Sequence, residues 1–123
     1  MSFGARVLLI PDPRNQKQFI KALKGVPITF FAGLNTLFNA LCRNPEFSKL
    51  DFSQLRLTVS GGMALMKDTA EQWEAVTGCK VVEGYGLTET SPVVAINPPH
   101  APKLGTVGLP VPYTECRLPL PSV

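Results

Sequence analysis

The chain has 123 residues, enough for one domain or a part of one, with 45% hydrophobic and 17% charged side chains. Its net charge is +3 and the basic residues are scattered, without the stripe typical of nucleic-acid binding, so nucleic acid is not the expected partner. No apolar run reaches the roughly 20 residues that span a bilayer, and the first residues lack the pattern of a signal peptide. We therefore expect a soluble chain.

The cysteines and the histidine offer no reactive group by their spacing. Cys42, Cys79 and Cys116 are far apart, odd in number and without a Cys-x-x-Cys pair, which favours a reducing, cytoplasmic setting. His100 is the only histidine and lies in a proline-rich stretch with no base, nucleophile or second ligand near it in sequence. A catalytic or metal-binding histidine is not expected.

Strand and helix patterns alternate along the first 97 residues. The aliphatic run 6–10 predicts a strand buried on both faces, and Asn15 is a candidate cap for the helix that follows. Asn35 is the candidate cap of the second helix, and Trp73 on the third helix is expected in the core. The predicted elements in chain order are strand 6–10, helix 16–24, strand 26–32, helix 34–42, strand 55–60, helix 67–77, strand 80–83 and strand 93–96.

This order predicts an α/β fold with a partial, mostly parallel sheet flanked by helices, because parallel neighbours need a crossover, usually a helical one. Residues 1–97 would form the α/β part, and 98–123 a proline-rich extension without regular helix, whose residues 119–123 look off-pattern. The carboxyl ends of parallel strands share one edge, where open α/β sheets bind ligands. The small-residue loops expected at that edge are Gly33-Leu34, Ser60-Gly61-Gly62-Met63 and 83–90.

The loop 83–90 concentrates the chemistry of the chain. Glycines on both sides of Tyr85 allow the backbone to turn sharply and to approach a ligand, while Thr88 offers a hydroxyl and Glu89 a carboxylate suited to a hard cation. The combination indicates a nucleotide with a metal ion. The alternative is a solvated β-turn after a strand. A dinucleotide-binding dehydrogenase is a weaker hypothesis, since no G-x-G-x-x-G turn follows the first strand.

The loops, their order and their spacing resemble the adenylate-forming (AMP-binding) acyl-CoA synthetases. The residues that carry the resemblance are Ser60–Leu65, the loop 83–90 and Gly105–Pro110. The segment Gly33–Leu41 is most similar to bacterial long-chain fatty acid–CoA ligases, and the similarity covers about 4–118. The resemblance implies a ligase in which a carboxylate and ATP give an acyl-adenylate and coenzyme A then displaces AMP to form a thioester.

The resemblance also implies roles for individual residues. Val93, Gly33 and Leu34 would border the acyl channel, although each could instead be a core residue. Thr88 and Glu89 would be the catalytic residues, with Glu89 as the ligand of Mg²⁺. The implied nucleotide-binding residues are Gly61, Gly62 and Met63 along the adenine, Tyr85 stacked on its face between Gly84 and Gly86, and Thr88 on the phosphate.

Parts of the family pattern have no counterpart in these 123 residues. They are the phosphate-gripping loop, the Thr-Gly-Asp that binds ribose, and the C-terminal domain with the lysine used in adenylation. We therefore expect an internal fragment of the large N-terminal domain of such a ligase, either truncated or incomplete in sequence, and inactive alone. The alternative is a non-catalytic remnant that binds adenine nucleotide or self-associates through exposed apolar surface. Fatty substrates make a peripheral membrane contact a further hypothesis.

Overall fold

The computed structural model describes residues 4–119, which form three helices packed on a five-stranded sheet. A short 3-10 turn, Thr88–Thr90, follows the third strand. None of the helices in 4–119 is both long enough and apolar enough to cross a bilayer. The elements are α1 Gln16–Leu23, β1 Phe30–Gly33, α2 Asn35–Cys42, β2 Leu57–Ser60, α3 Lys67–Thr77, β3 Val81–Gly86, β4 Val93–Ile96 and β5 Leu109–Pro110.

The predicted α/β class is confirmed, and the sheet is mixed. Its order is β1-β2-β3-β4-β5, with β1, β2 and β3 parallel to one another. Strand β4 runs antiparallel to β3, and β5 antiparallel to β4. The reason is the length of the connection 87–92, because a parallel crossover needs about a dozen residues. The helices therefore belong to the parallel half of the sheet.

Trp73 lies at the centre of an aromatic cluster under the parallel strands, as predicted. It is fully buried, and its ring centroid is 4.7 Å from that of Phe38, 5.0 Å from Phe31 and 5.5 Å from Phe47. Its indole N–H donates a hydrogen bond to Thr58 Oγ1 at 3.1 Å, so the buried polar atom has a partner. The cluster fixes α2 and α3 against the sheet.

The helix predictions agree well with the structure, apart from one cap. α3 has the predicted bounds, and Gly78 ends it in the left-handed conformation with φ of 72°. Asn15 caps α1 by accepting a hydrogen bond from the Gln18 N–H at 3.2 Å. The predicted cap of α2 is wrong: Leu34 holds that position, and the Asn35 side chain accepts from the Met66 N–H at 2.9 Å. Asn35 thus joins α2 to the loop before α3.

Several strand predictions are corrected by the structure. Residues 6–10 form no strand, because an extended backbone needs a neighbouring strand and none of the described residues supplies one. Leu9 in that run is 82% exposed. β1 begins at Phe30 instead of 26, and β2 at Leu57 instead of 55. β3 continues to Gly86, so the first half of the predicted loop 83–90 is strand.

Candidate functional site

The ends of the parallel strands meet at one edge of the sheet, as the sequence predicted. Gly33 pairs with Ser60, and Ser60 pairs with Glu83, so three neighbouring strands are in register there. The Gly61 N–H donates to the Gly33 carbonyl at 3.2 Å. The segments that follow these strands therefore begin side by side.

The loop between β2 and α3, residues 61–66, is held open by its backbone. Gly62 has a φ of +80°, and a Cβ there would lie 3.0 Å from Leu34 Cδ2, so a side chain would be strained and crowded. A Cβ on Gly61 would meet no heavy atom within 4 Å, which leaves free space beside its backbone. The Met63 side chain is exposed. We refer to residues 61–66 as the glycine loop.

Glu83 connects the glycine loop to the segment before β5. One carboxylate oxygen accepts a hydrogen bond from the Leu65 N–H at 3.0 Å, and the other accepts from the Gly105 N–H at 2.8 Å. Leu65 and Gly105 lie 18 and 22 residues from Glu83 along the chain. No role for Glu83 could be predicted from the sequence, because nothing in the local pattern indicates which distant amides a carboxylate will meet.

The end of β3 presents Tyr85 on a distorted stretch of strand. Tyr85 pairs with Ala95, and the register then shifts, so that Gly86 pairs with Val93. The Tyr85 side chain is 47% exposed. A Cβ on Gly86 would lie 1.9 Å from the Pro92 carbonyl oxygen, whereas a Cβ on Gly84 would meet its nearest atom at 3.6 Å. Gly86 is therefore required by the approach of β4, independently of any ligand.

The turn Thr88–Thr90 is built around the side chain of Thr90. Its hydroxyl oxygen accepts from the Leu87 N–H at 2.9 Å and lies within hydrogen-bond distance of the Leu87 and Pro92 carbonyls, one of which takes its proton. Ser91 follows in the left-handed region with φ of 59°. Thr88 and Glu89 are exposed, and among residues 4–119 no hydrogen bond engages either side chain. Both groups are free to meet a ligand.

Glu89 offers an exposed carboxylate that could be one ligand of a metal ion. In the part of the chain that the structure describes, no three potential metal ligands are clustered. Mg²⁺ is usually held by one or two carboxylates and completes its octahedron with water and substrate phosphates. The single exposed carboxylate of Glu89 suits that arrangement.

The predicted acyl-channel residues are not brought together. Val93 pairs with Gly86 on β3, whereas Leu34 follows β1, so about 14 Å, or three strand spacings, separates their strands. Leu34 and Val93 are 46% and 43% exposed, which excludes the core alternative for both. For Gly33 that alternative fits, since a Cβ there would lie 3.0 Å from the ring of Phe38.

Asn97 is a second structural residue that sequence reasoning missed. It is 2% exposed, and its amide nitrogen donates to the Thr106 carbonyl at 2.6 Å and to the Glu83 carbonyl at 3.3 Å. Its amide oxygen accepts from the Lys103 N–H at 3.0 Å and from the Thr106 hydroxyl at 3.2 Å. Asn97 precedes Pro98, a pattern typical of loops, so its burial had no signal in the sequence.

Comparison with known proteins gives the class of this fold and then the family. The structure is similar to an anthranilate CoA ligase in complex with anthranoyl-AMP, with a TM-score of 0.79 and 30% identity over 89% of this chain and 21% of that one. It is also similar to a benzoate CoA ligase from Burkholderia xenovorans LB400, with a TM-score of 0.78 and 28% identity over 90% and 23% of the two chains. The fold is therefore that of part of a CoA ligase.

The sequence comparisons agree with the structural ones. The family model described as AMP-binding enzyme matches residues 1–119, and the chain belongs to that family. A long-chain-fatty-acid–CoA ligase of Yersinia pestis is 51% identical over 119 residues, which are 96% of this chain and 21% of that protein. The resemblance inferred from the motifs is thus confirmed. The chain spans about a fifth of the length of the curated relatives that it matches.

Proposed function

We propose that this chain forms the adenine-binding side of the active site of an ATP-dependent long-chain fatty acid–CoA ligase. The observation that supports the proposal best is the register of β1, β2 and β3, which puts the glycine loop beside the stretch that carries Tyr85. The relatives that match nearly the whole chain are named long-chain-fatty-acid–CoA ligases. Such an enzyme joins a carboxylate to AMP with loss of pyrophosphate and then transfers the acyl group to the thiol of coenzyme A.

In this proposal the exposed residues of the edge contact the nucleotide. The ring of Tyr85 offers a flat apolar face to the adenine, and the backbone of Gly61, Gly62 and Met63 lies along the base where free space exists beside Gly61. Gly84 gives the base access to the strand, and Gly86 keeps the end of β3 against β4.

Thr88 and Glu89 serve the phosphates in the proposed site. The Thr88 hydroxyl donates a hydrogen bond to a phosphate oxygen, and the Glu89 carboxylate holds Mg²⁺. When bound, Mg²⁺ supplies positive charge that offsets the charge developing on the phosphate oxygens as pyrophosphate leaves. The free, exposed state of both side chains supports these roles.

The fatty acyl chain would follow the same edge. Leu34 follows β1 and Val93 begins β4 at this edge, and both are exposed apolar side chains. A hydrocarbon substrate that covers both apolar side chains removes apolar surface from water, which favours binding. Leu34 and Val93 are therefore proposed as borders of the acyl channel, whereas packing against Phe38 accounts for Gly33.

Titration calorimetry of the 123-residue chain with AMP tests the adenine site. We expect binding that weakens about tenfold or more in Tyr85→Ala, because stacking of a base on an aromatic ring contributes about 1–3 kcal/mol. Tyr113→Ala is the matched control, since it removes the chain's other tyrosine, which is fully exposed. Equal affinity in wild type and Tyr85→Ala would remove the proposed role of Tyr85, and absence of AMP binding by the wild type would remove the proposed site.

The metal role of Glu89 is tested with ATP in the presence and absence of Mg²⁺. We expect Mg²⁺ to tighten ATP binding in the wild type and to have little effect in Glu89→Gln. Glu74→Gln is the control, because it makes the same change at an exposed position of α3. A Mg²⁺ effect of equal size in Glu89→Gln would show that another group holds the cation.

For the chain alone we expect no thioester formation. Most of the contacts that the family is expected to make with the transition state lie outside the glycine loop and the segment 83–90.

Self-association is the second candidate property, and the edge of the sheet favours it. β1 is one of the two edge strands of the sheet in residues 4–119, and its Phe30 is exposed together with Val7 and Leu9 of the preceding segment. Exposed apolar surface beside an open strand edge promotes association. Light scattering should show a mass that rises with concentration and falls in Phe30→Asp. A cytoplasmic location and a peripheral membrane contact stay predictions.

A further inference from the structure

The Glu83 carboxylate occupies a central place behind the proposed adenine site. Its two oxygens bind two amides from different segments, Leu65 in the glycine loop and Gly105 in the segment before β5. We propose that Glu83 is a positioning residue, which fixes the separation of these two segments and thereby shapes the adenine-binding edge. The proposal rests on the proposed function for its ligand, but the bridge itself can be tested without one.

Only a carboxylate of this length satisfies both amides. An ionised carboxylate has acceptor sites on both oxygens and no donor, so it can take one N–H on each side. A glutamine would present its NH₂ group to one of the two N–H donors, and an aspartate would be shorter by one C–C bond of about 1.5 Å. Hydrogen bonds to a charged acceptor are also stronger than neutral ones.

The segment before β5 is attached to Glu83 through its backbone as well. The Glu83 carbonyl accepts the Asn97 N–H at 2.9 Å, and the Asn97 side chain in turn binds Lys103 and Thr106 on either side of Gly105. Gly105 has a φ of +74°, a conformation that side chains rarely adopt. The Gly105 N–H is therefore held toward Glu83 by its neighbours on both sides.

Since each oxygen already has a protein donor, Glu83 acts through the loops. The glycine loop is anchored at Leu65, two residues after Met63, which the proposed function places along the adenine. Loss of the anchor would allow 61–64 to move while the core under α3 stays in place. This difference separates a positioning residue from one that merely stabilises the fold.

Amide exchange in the full 123-residue chain tests the bridge. In Glu83→Gln we expect about tenfold faster hydrogen exchange at Leu65 or Gly105, and in Glu83→Ala at both. Loss of a hydrogen bond to a charged group commonly changes an opening equilibrium constant by about tenfold or more, and the exchange rate follows that constant. Glu74→Gln should leave both amides unchanged. The fluorescence of Trp73, the only tryptophan, reports whether the core remains folded. Unchanged exchange at both amides in a folded Glu83→Ala chain would overturn the bridge.

The wild type offers a test that does not depend on folded variants. Through-hydrogen-bond scalar couplings should connect the Leu65 and Gly105 amide nitrogens to the carboxyl carbon of Glu83. Their detection supports the bridge, and their absence under conditions where the backbone couplings of β2 and β3 are seen would overturn it.

AMP titration then tests the consequence for the site. We expect folded Glu83→Gln to bind AMP about tenfold more weakly than the wild type and Glu74→Gln. Wild-type affinity in folded Glu83→Gln would overturn the positioning role. If the wild type binds no AMP, the proposed function fails, and the exchange and coupling measurements still decide whether Glu83 joins the two segments.

Discussion

The two sides of β3 are stabilised by different means. On the side of β1 and β2, the rings of Phe31, Phe38 and Phe47 pack around the buried Trp73 of α3. On the side of β4 and β5, the contacts are hydrogen bonds that converge on Asn97 and on Glu83. The first side is an apolar core under a parallel sheet, and the second is a polar network that joins loops.

The difference indicates how stability and binding are divided in this chain. Apolar burial is non-directional and tolerates small shifts, whereas hydrogen bonds fix distances between particular atoms. The residues proposed to bind nucleotide lie at the edge where the two sides meet. We therefore expect core substitutions to act on the whole fold, and substitutions in the polar network to act first on the loops.

The largest effect is expected in the aromatic core. Phe38→Ala should lower the free energy of unfolding by about 3–5 kcal/mol, because it removes a fully buried ring and leaves a cavity beside Trp73. Urea unfolding followed by Trp73 fluorescence measures the change. Leu9→Ala, at an 82% exposed side chain, is the control and should have little effect. Equal losses in the two variants would contradict the placement of the core.

The next effect is expected where β4 approaches β3. Gly86→Ala should destabilise the chain by about 2–3 kcal/mol, because its Cβ would overlap the Pro92 carbonyl and the backbone would have to shift. Gly84→Ala is the matched control two residues away, where the nearest atoms are at ordinary contact distance. Thermal unfolding of the two variants should differ clearly. A Gly84→Ala chain that is as unstable as Gly86→Ala would argue against this strand register.

A smaller and more local effect is expected in the polar network. Asn97→Ala should cost about 2 kcal/mol, because the Lys103 amide and the Thr106 carbonyl lose their buried partner. Hydrogen exchange at Lys103 should accelerate more than exchange in β2. Thr36→Ala, at an exposed position of α2, is the control. Uniform acceleration throughout the chain would mean that the two sides of β3 unfold as one unit.

The parts of the fold that could be predicted are those with local signals. The bounds of α3 follow from the spacing of its apolar residues and from Gly78, and the meeting of the loops at one edge follows from the rule for parallel strands. The strand predicted at 6–10 was wrong. An aliphatic pattern indicates a segment that could be buried in a sheet, but it does not show whether a neighbouring strand is present to pair with it. The prolines of 98–123 were a reason against helix only, and the short strand β5, which includes Pro110, had no signal in the sequence.

The candidate site divides in the same way. Tyr85, Thr88 and Glu89 could be singled out because their chemistry is visible in eight consecutive residues. Their roles stay predictions, as do those of Gly61, Gly62 and Met63. Glu83 and Asn97 could not be recognised, because their partners lie 6 to 22 residues away and depend on the pairing of β3 with β4. Gly86 was predicted to let a ligand come close to the backbone. The structure shows a second reason for a glycine there, because the Pro92 carbonyl leaves no room for a Cβ.

The smallest effect is expected in the pH dependence of stability on the aromatic side of β3. Asp51 directly precedes Phe52 of the core, and hydrogen bonds from Ser53 lower the pKa of its carboxyl below the ordinary 3.8. Because the pKa of Asp51 is lower in the folded state, its carboxylate contributes to the stability of the fold above the ordinary pKa. That contribution is lost as the pH falls through the pKa of the folded state. Urea midpoints of wild type and Asp51→Asn should therefore differ slightly at pH 7 and converge in acid. Exchange at Lys103, on the polar side, should be the same in both chains at each pH. A difference that grows on acidification would contradict the direction of the shift, because a raised pKa would be needed to produce it.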